Sequence, residues 1–440
     1  MNGGADPERH SLDAVGRLHY AVHAALRDLG YPGFACQLHI WLAGRLDPAV
    51  LRRALDNLAL RYPLLAARLS CEPGRLGDIY WERRAGARCP LTVVALEAGG
   101  EGSVPRYAES LMATPFDLAQ GEPLALHLLQ LPDGRDVLIV HYDHTLISDA
   151  HAATLLIEEL NALNGVPPDA VRSAQSEPDE IGAWLKRHRL RTRWARALRV
   201  IAASARRRKS LKLLPGDAQD PAHDGCRISL RTLDEARTRA FAERVRRACG
   251  FPNLSMGFLA SAFRALHVVT GSPTGRKLQL ATGVGYSLRP ASRDRALFRT
   301  FGSEMILKAS LDELADKDEL TRVLVRRMRD QIRRGFDLGS LQLAGIASRH
   351  LELVRRGFKR RMRDLSFSYG YFKAPDESGA GLCGVPIARA YHLIMPWAPP
   401  GLTVSANACH GRLHISVTSA VQAIPAPLAE TFADTLLADL

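Results

Sequence analysis

The chain has 440 residues, of which 46% are apolar, 24% charged and 6% aromatic, enough to bury one or two large cores and to exclude a disordered, collagenous or small disulfide-stapled protein. Lys and Arg total 59 against 46 Asp and Glu, a formal charge of +13, which favours acidic partners (nucleic acid, anionic lipid, a phosphorylated cofactor or an acidic protein) without choosing among them. The seven cysteines are scattered, with no C-x-x-C pair and an odd count, which argues against a complete disulfide framework and fits a reducing cytoplasm.

Residues 1–12 carry Asp6, Glu8 and Arg9 and no apolar core, so no secretory signal is expected. No apolar run reaches the roughly 18 residues that a spanning helix needs. Apolar spacing predicts a helix over 18–29, closed by Tyr31-Pro32-Gly33, and then a strand over 34–42. Asp47 reads as an N-cap with Pro48 at the first helical position, and Leu51, Leu55 and Leu58 continue the apolar stripe until Tyr62-Pro63. Strands are expected over 79–83 and 91–94, and a helix over 104–112. Pro132-Asp133-Gly134 is a turn sequence, so 123–131 and 136–142 read as a hairpin. A helix over 150–163 follows. The first lobe thus interleaves strands and helices.

Between residues 186 and 212 there are twelve basic residues and no acidic one. Leu190, Trp194, Leu198 and Ile201 recur at helical spacing within that run, predicting a basic amphipathic helix. A solvated charged face is its plainest meaning, docking of an acidic carrier protein or a CoA phosphate the next, and a lipid surface the last. No helix-turn-helix, zinc or RNA-recognition pattern accompanies the charge, so no nucleic-acid partner is expected. A second lobe follows: a strand over 227–230, a helix over 233–249, another beginning at Asn253-Leu254-Ser255, a strand over 277–286, a charged helix over 319–334, and a hairpin over 401–417 turning at Gly411. The expected units are 1–180, a basic helix and linker over 181–225, and 226–440.

The chemistry concentrates in His141-Tyr142-Asp143-His144-Thr145-Leu146-Ile147-Ser148-Asp149-Ala150, where ionisable side chains cluster at the end of a predicted strand. The stretch from His144 to Ala150 resembles the His-His-x-x-x-Asp-Gly signature of nonribosomal peptide synthetase condensation domains and related CoA-dependent or carrier-protein-dependent acyltransferases. Further segments agree in order: Leu46-Asp47 through Arg61-Tyr62-Pro63-Leu64-Leu65, Pro115-Phe116-Asp117-Leu118 with Pro123-Leu124, Gly285-Tyr286-Ser287-Leu288-Arg289-Pro290, Phe301-Gly302, and the closing hairpin around Gly401 and Gly411.

The resemblance implies an α/β (α+β) fold of two chloramphenicol-acetyltransferase-like lobes in a V-shaped pseudo-dimer, each a mixed sheet flanked by helices, with a tunnel between them. It implies a donor whose phosphopantetheine thioester is carried by an acyl or peptidyl carrier protein or by CoA, a small amine or alcohol acceptor, and no permanently bound cofactor. Asp149 and Arg289 would form a structural pair, and Tyr286 and Ser287 would bind substrate. Aligning Asp149 with the signature aspartate places Thr145 where the family has its catalytic histidine and His144 at the first histidine. Threonine does not titrate near neutral pH. The candidates for catalysis are then His144, Thr145, Asp143 and His141. If the strand runs through residue 145, His141, Asp143 and Thr145 share one face; a bulge would instead turn His144 inward; or a neutral amine needs little base once positioned.

No P-loop, H-E-x-x-H, dinucleotide fingerprint or G-x-S-x-G elbow is present, and no metal is expected. The function expected is a stand-alone condensation-like acyltransferase of secondary metabolism, in the cytoplasm. The alternatives are a catalytically altered scaffold that recruits a partner or binds an intermediate, or a tunnel enzyme performing cyclisation or hydrolysis.

Overall fold

The computed structural model describes residues 9–71, 79–83, 88–96, 100–121, 123–147, 150–174, 185–205, 209–213, 225–251, 253–271, 278–287, 298, 302–347, 350–373 and 381–440. In the first half the order is β1 (Arg9–Ser11), α1 (Ala14–Asp28), β2 (Ala35–Leu42), α2 (Pro48–Arg61), β3 (Ala67–Cys71), β4 (Ile79–Arg83), β5 (Leu91–Ala95), α3 (Ser103–Ala113), β6 (Leu124–Gln130), β7 (Asp136–Asp143) and α4 (Ala150–Leu163). Next come α5 (Leu190–Ala205), β8 (Lys209–Ser210), β9 (Cys226–Leu233), α6 (Glu235–Cys249), α7 (Leu254–Val269), β10 (Leu278–Ser287) and β11 (Gly302–Ser310). The chain ends with α8 (Lys317–Arg333), α9 (Phe336–Ala347), α10 (Leu351–Met362), β12 (Ser368–Lys373), β13 (Ile387–Ile394), β14 (Leu402–Cys409), β15 (Arg412–Ala420) and α11 (Ala426–Asp439).

Local chemistry accounts for several of these starts. Asp47 Oδ1 accepts from the Ala49 amide at 2.8 Å ahead of Pro48. Asp234 caps α6 by accepting from Arg237 N at 2.8 Å, and Asn253 caps α7 through Met256 N at 3.2 Å, each satisfying an amide that the helix leaves without a partner.

The strands form a five-stranded sheet in the order β13-β2-β7-β6-β5, a second sheet along β11-β10-β12-β14-β15-β9 with β8 added beside β10, and a small sheet β1-β4-β3. Helices cover the large sheets, and two separate apolar cores result: one around Leu38, Val140 and Leu156, the other around Phe263, Leu307 and Phe432. All eight residues of β2 and all eight of β7 are buried, the pattern of central strands covered on both faces.

The expected division is corrected at one point. The segment 226–440 does not build the second lobe alone, because β13 leaves it and pairs antiparallel with β2, with Tyr391 opposite His39 and Ile394 opposite Cys36. Met395 and Trp397 follow it into the first core. This crossing brings the loop after β13 to the end of β7.

Candidate active site at the end of β7

β7 is anchored at its start by Asp136, which is fully buried and accepts from Arg45 Nη1 at 2.6 Å and from Leu46 N at 2.8 Å. A run of apolar residues then carries it through the core to His141, Tyr142 and Asp143. Gln37 of β2 stands opposite His141 and Ala35 opposite Asp143, so His141 and Asp143 share a face of the sheet as strand geometry requires.

The strand stops at Asp143, and the stop is made by that residue's own side chain. Oδ1 accepts from Thr145 N at 2.9 Å, and Oδ2 accepts from Phe34 N at 3.2 Å and lies 2.7 Å from His23 Nδ1. A carboxylate that binds the amide two residues on builds a turn; Leu146 N closes it onto Asp143 O at 3.0 Å. Burial would raise the Asp143 carboxyl, but the charge and hydrogen bond of His23 together with Thr145 hold it below the usual aspartate range. Gly33 makes room for this pair: it has φ +116°, and a Cβ there would sit 2.5 Å from His23 Cε1.

The turn swings His144 out of the sheet toward α1. Its Nδ1 lies 2.6 Å from Ile147 O. A carbonyl can only accept, so Nδ1 carries the proton and the lone pair of the neutral ring is on Nε2. The ring stacks on His19 of α1 at 4.7 Å and 20°, and meets the edge of Phe34 at 4.5 Å. Phe34 in turn meets Trp397, from the loop after β13, at 5.4 Å, and Trp397 lies 5.9 Å from Phe358 of α10. Enclosure and the neighbouring His144 push His19 down to about 3, so its ring stays neutral beside His144.

The predicted residues therefore separate. Neither a continued strand nor a bulge orients His144: the strand pairing ends at Asp143, and the His144 amide makes a last bond to Phe34 O at 2.9 Å as the chain enters the turn. Asp143 is fully buried with both carboxylate oxygens engaged by the turn and by His23. His141 is 4% exposed, its ring lies 4.5 Å from that of Phe116, and burial pushes it down to about 3. Thr145 is buried too; its hydroxyl makes no well-formed hydrogen bond among the described residues, although it lies near enough to Asp143 to favour the carboxylate. Tyr286 sits against the second core, where burial raises its hydroxyl. Ser287 ends β10, and its side chain, like Asp149 and Arg289, lies outside the described residues.

The residues that sequence reasoning missed are His19 and His23. Their signal was present: two histidines one helical turn apart on a predicted helix share one face, which here meets the turn at residues 143 and 144. Among the described residues no group of three or more His, Cys, Asp or Glu is placed to hold a metal ion.

The chain matches no family model. It is 28% identical over 179 residues to the phosphinothricin tripeptide synthetase PhsB of Streptomyces viridochromogenes, a match that covers 40% of this chain but 14% of that protein. The chain thus spans about one seventh of the relative's length. Among solved structures it resembles the first condensation domain of the CDA synthetase, with a TM-score of 0.74, 16% identity and coverage of 98% of this chain and 95% of the other. It also resembles the epimerization domain from the third module of tyrocidine synthetase B, with a TM-score of 0.64, 16% identity and coverage of 100% and 97%. The chain shares the fold of these condensation and epimerization domains.

Proposed function

We propose that this condensation-like fold carries out acyl transfer from a phosphopantetheine thioester to a small amine or alcohol, with His144 as the proton acceptor. The single observation that supports this most directly is the hydrogen bond from His144 Nδ1 to Ile147 O at 2.6 Å. It fixes the ring in the tautomer whose Nε2 can take a proton. In the step proposed, the acceptor's nitrogen or oxygen attacks the thioester carbonyl and its proton passes to His144 Nε2. A C–N or C–O bond forms, the C–S bond breaks, and the departing thiolate recovers the proton. Asp143 and His23 act at one remove by holding the turn that aims His144. Tyr286, Ser287, Asp149 and Arg289 keep the substrate-binding and structural roles that the resemblance implies, and CoA or a carrier protein supplies the donor.

The test incubates the purified chain with acyl-pantetheine and acyl-CoA thioesters and a panel of amines and alcohols, following product mass and free thiol together. An amide or ester of the expected mass, lost in His144→Ala, is the expected result. Free thiol released without a new adduct indicates hydrolysis at the same site, and a product lighter by the elements of water indicates cyclisation. Adduct formation that His144→Ala leaves unchanged overturns the assignment. No turnover with any donor, together with saturable binding of the thioester, indicates a scaffold that holds an intermediate.

A further inference from the structure

An amphipathic helix in a soluble protein ordinarily turns its apolar stripe to the core, and α5 does the opposite. Ala197 is fully buried, Arg193 Nε donates to Gln342 Oε1 of α9 at 2.7 Å, and the Arg196 carbonyl lies against Gly339, where a Cβ would come within 2.6 Å of it. That close approach sets the helix's rotation. The consequence is that Leu190, Trp194, Leu198 and Ile201 are 59%, 43%, 60% and 47% exposed. They are four of the eight large hydrophobic residues that are exposed anywhere among the described residues, all on one side of a single helix.

The charge around the stripe is of one sign. Lys186, Arg187, Arg189, Arg191 and Arg199 are exposed, and the sequence from 186 to 212 contains no acidic residue. Helical spacing puts Arg191 beside Trp194 and Leu198 on the outward surface. An occupant of this face has to accept four bulky apolar side chains and a ring of cations at once. A solvated charged face explains the arginines but leaves the apolar stripe in water, and a free phosphate explains neither Leu198 nor Ile201.

We propose that the outward face of α5 docks on an anionic lipid bilayer, lying in the plane of the interface. Leu190, Trp194, Leu198 and Ile201 enter the boundary between headgroups and acyl chains, and the flanking cations engage lipid phosphates, the arrangement by which interfacial helices bind. No helix of the described residues is long and apolar enough to cross a membrane, so the contact is peripheral. The proposal is independent of the chemistry at His144.

Sedimentation with vesicles of phosphatidylcholine and phosphatidylglycerol, and with phosphatidylcholine alone, tests it on the full chain. Binding to the anionic vesicles only is expected, weakened by salt. Trp194→Ala combined with Leu198→Ser should lower the vesicle partition coefficient by about tenfold or more, and Arg191→Gln with Arg199→Gln by about tenfold. All four side chains lie on the surface, and the contact of Arg199 Nη1 with Arg334 O at 3.3 Å is exposed, so thermal unfolding should change little. A measurement needing no variant is quenching of tryptophan emission by brominated acyl chains in the anionic vesicles, which should be seen in the native chain. No sedimentation with anionic vesicles overturns the proposal, and is the result expected of a face built for an acidic protein. Sedimentation that survives removal of the apolar pair, without quenching, overturns it equally, because it shows adsorption by charge alone.

Discussion

His23 Nδ1 lies 2.7 Å from Asp143 Oδ2, linking α1 to the end of β7 across 120 residues of sequence, with side chains 8% and 0% exposed. Removing one partner leaves the other buried and uncompensated, which costs about 3 to 5 kcal/mol. His23→Ala and Asp143→Ala should each reduce the urea unfolding free energy by that order, whereas the double variant should cost less than the sum of the two. Additive losses would show that the two side chains act separately.

Gly33 offers a test of the same pair that leaves both partners in place. Its φ of +116° disfavours any L side chain, and a Cβ would press on His23 at 2.5 Å and lie 3.4 Å from Asp143 Oδ2. Gly33→Ala should therefore destabilise the fold by about 1 to 3 kcal/mol, measured by denaturant unfolding. It should also lower any thioester-dependent activity, because His23 must shift. A stability equal to the native chain's would mean that the backbone at 33 relaxes without moving His23.

How legible this was differs from residue to residue. Asp47-Pro48 and Asn253 announced helix starts, and Pro132-Asp133-Gly134 announced the β6–β7 hairpin, because caps and turns are set by neighbours within a few positions. The crossing of β13 to β2 was not legible: a strand's alternation tells which faces it buries but not which sheet it joins. The outward rotation of α5 was hidden for a similar reason, since the close approach of Gly339 to Arg196 is visible only in three dimensions. At the site, residues 141–145 were found as a cluster, yet their roles depended on where the strand stopped. That point was set by a pairing with His23, which lies on a distant helix.

The buried histidines predict acid sensitivity at an unusually high pH. His39, His141 and His392 are at most 4% exposed, and burial pushes each down to about 3. An unfolded histidine titrates near 6.5, so each contributes stability that is complete above about pH 6.5 and is lost as pH falls toward the folded value. With His19, also pushed down to about 3, and His414, pushed down to about 4, five such groups give a slope of up to about 7 kcal/mol per pH unit below pH 6. Asp143, with its folded pKa depressed, adds its own loss only below about pH 4. Unfolding free energies measured from pH 7 to pH 4.5 should fall steeply, and His141→Gln should flatten the curve by about a fifth. A flat profile over that range would mean that these rings are protonated in the folded chain.

The contrast between His144 and Thr145 separates a base built on the turn from one aligned with the family signature. Thr145 is 4% exposed and its hydroxyl makes no well-formed hydrogen bond among the described residues, whereas His144 is held through Nδ1 to Ile147 O. Thr145→Ala removes a hydroxyl and a methyl from beside Asp143, and should change thioester-dependent turnover by less than about threefold. His144→Ala removes the proposed proton acceptor and, if that role holds, should lower kcat by about a hundredfold or more, with KM for the thioester little changed. His144→Asn keeps a donor for Ile147 O but offers no basic nitrogen, so it should restore the turn's stability without restoring turnover. Supplying free imidazole to His144→Ala should recover part of the rate, because the missing group is a diffusible base of the same chemistry. A Thr145→His variant that surpasses the native rate, with His144→Ala near the native rate, would instead put the proton acceptor at position 145.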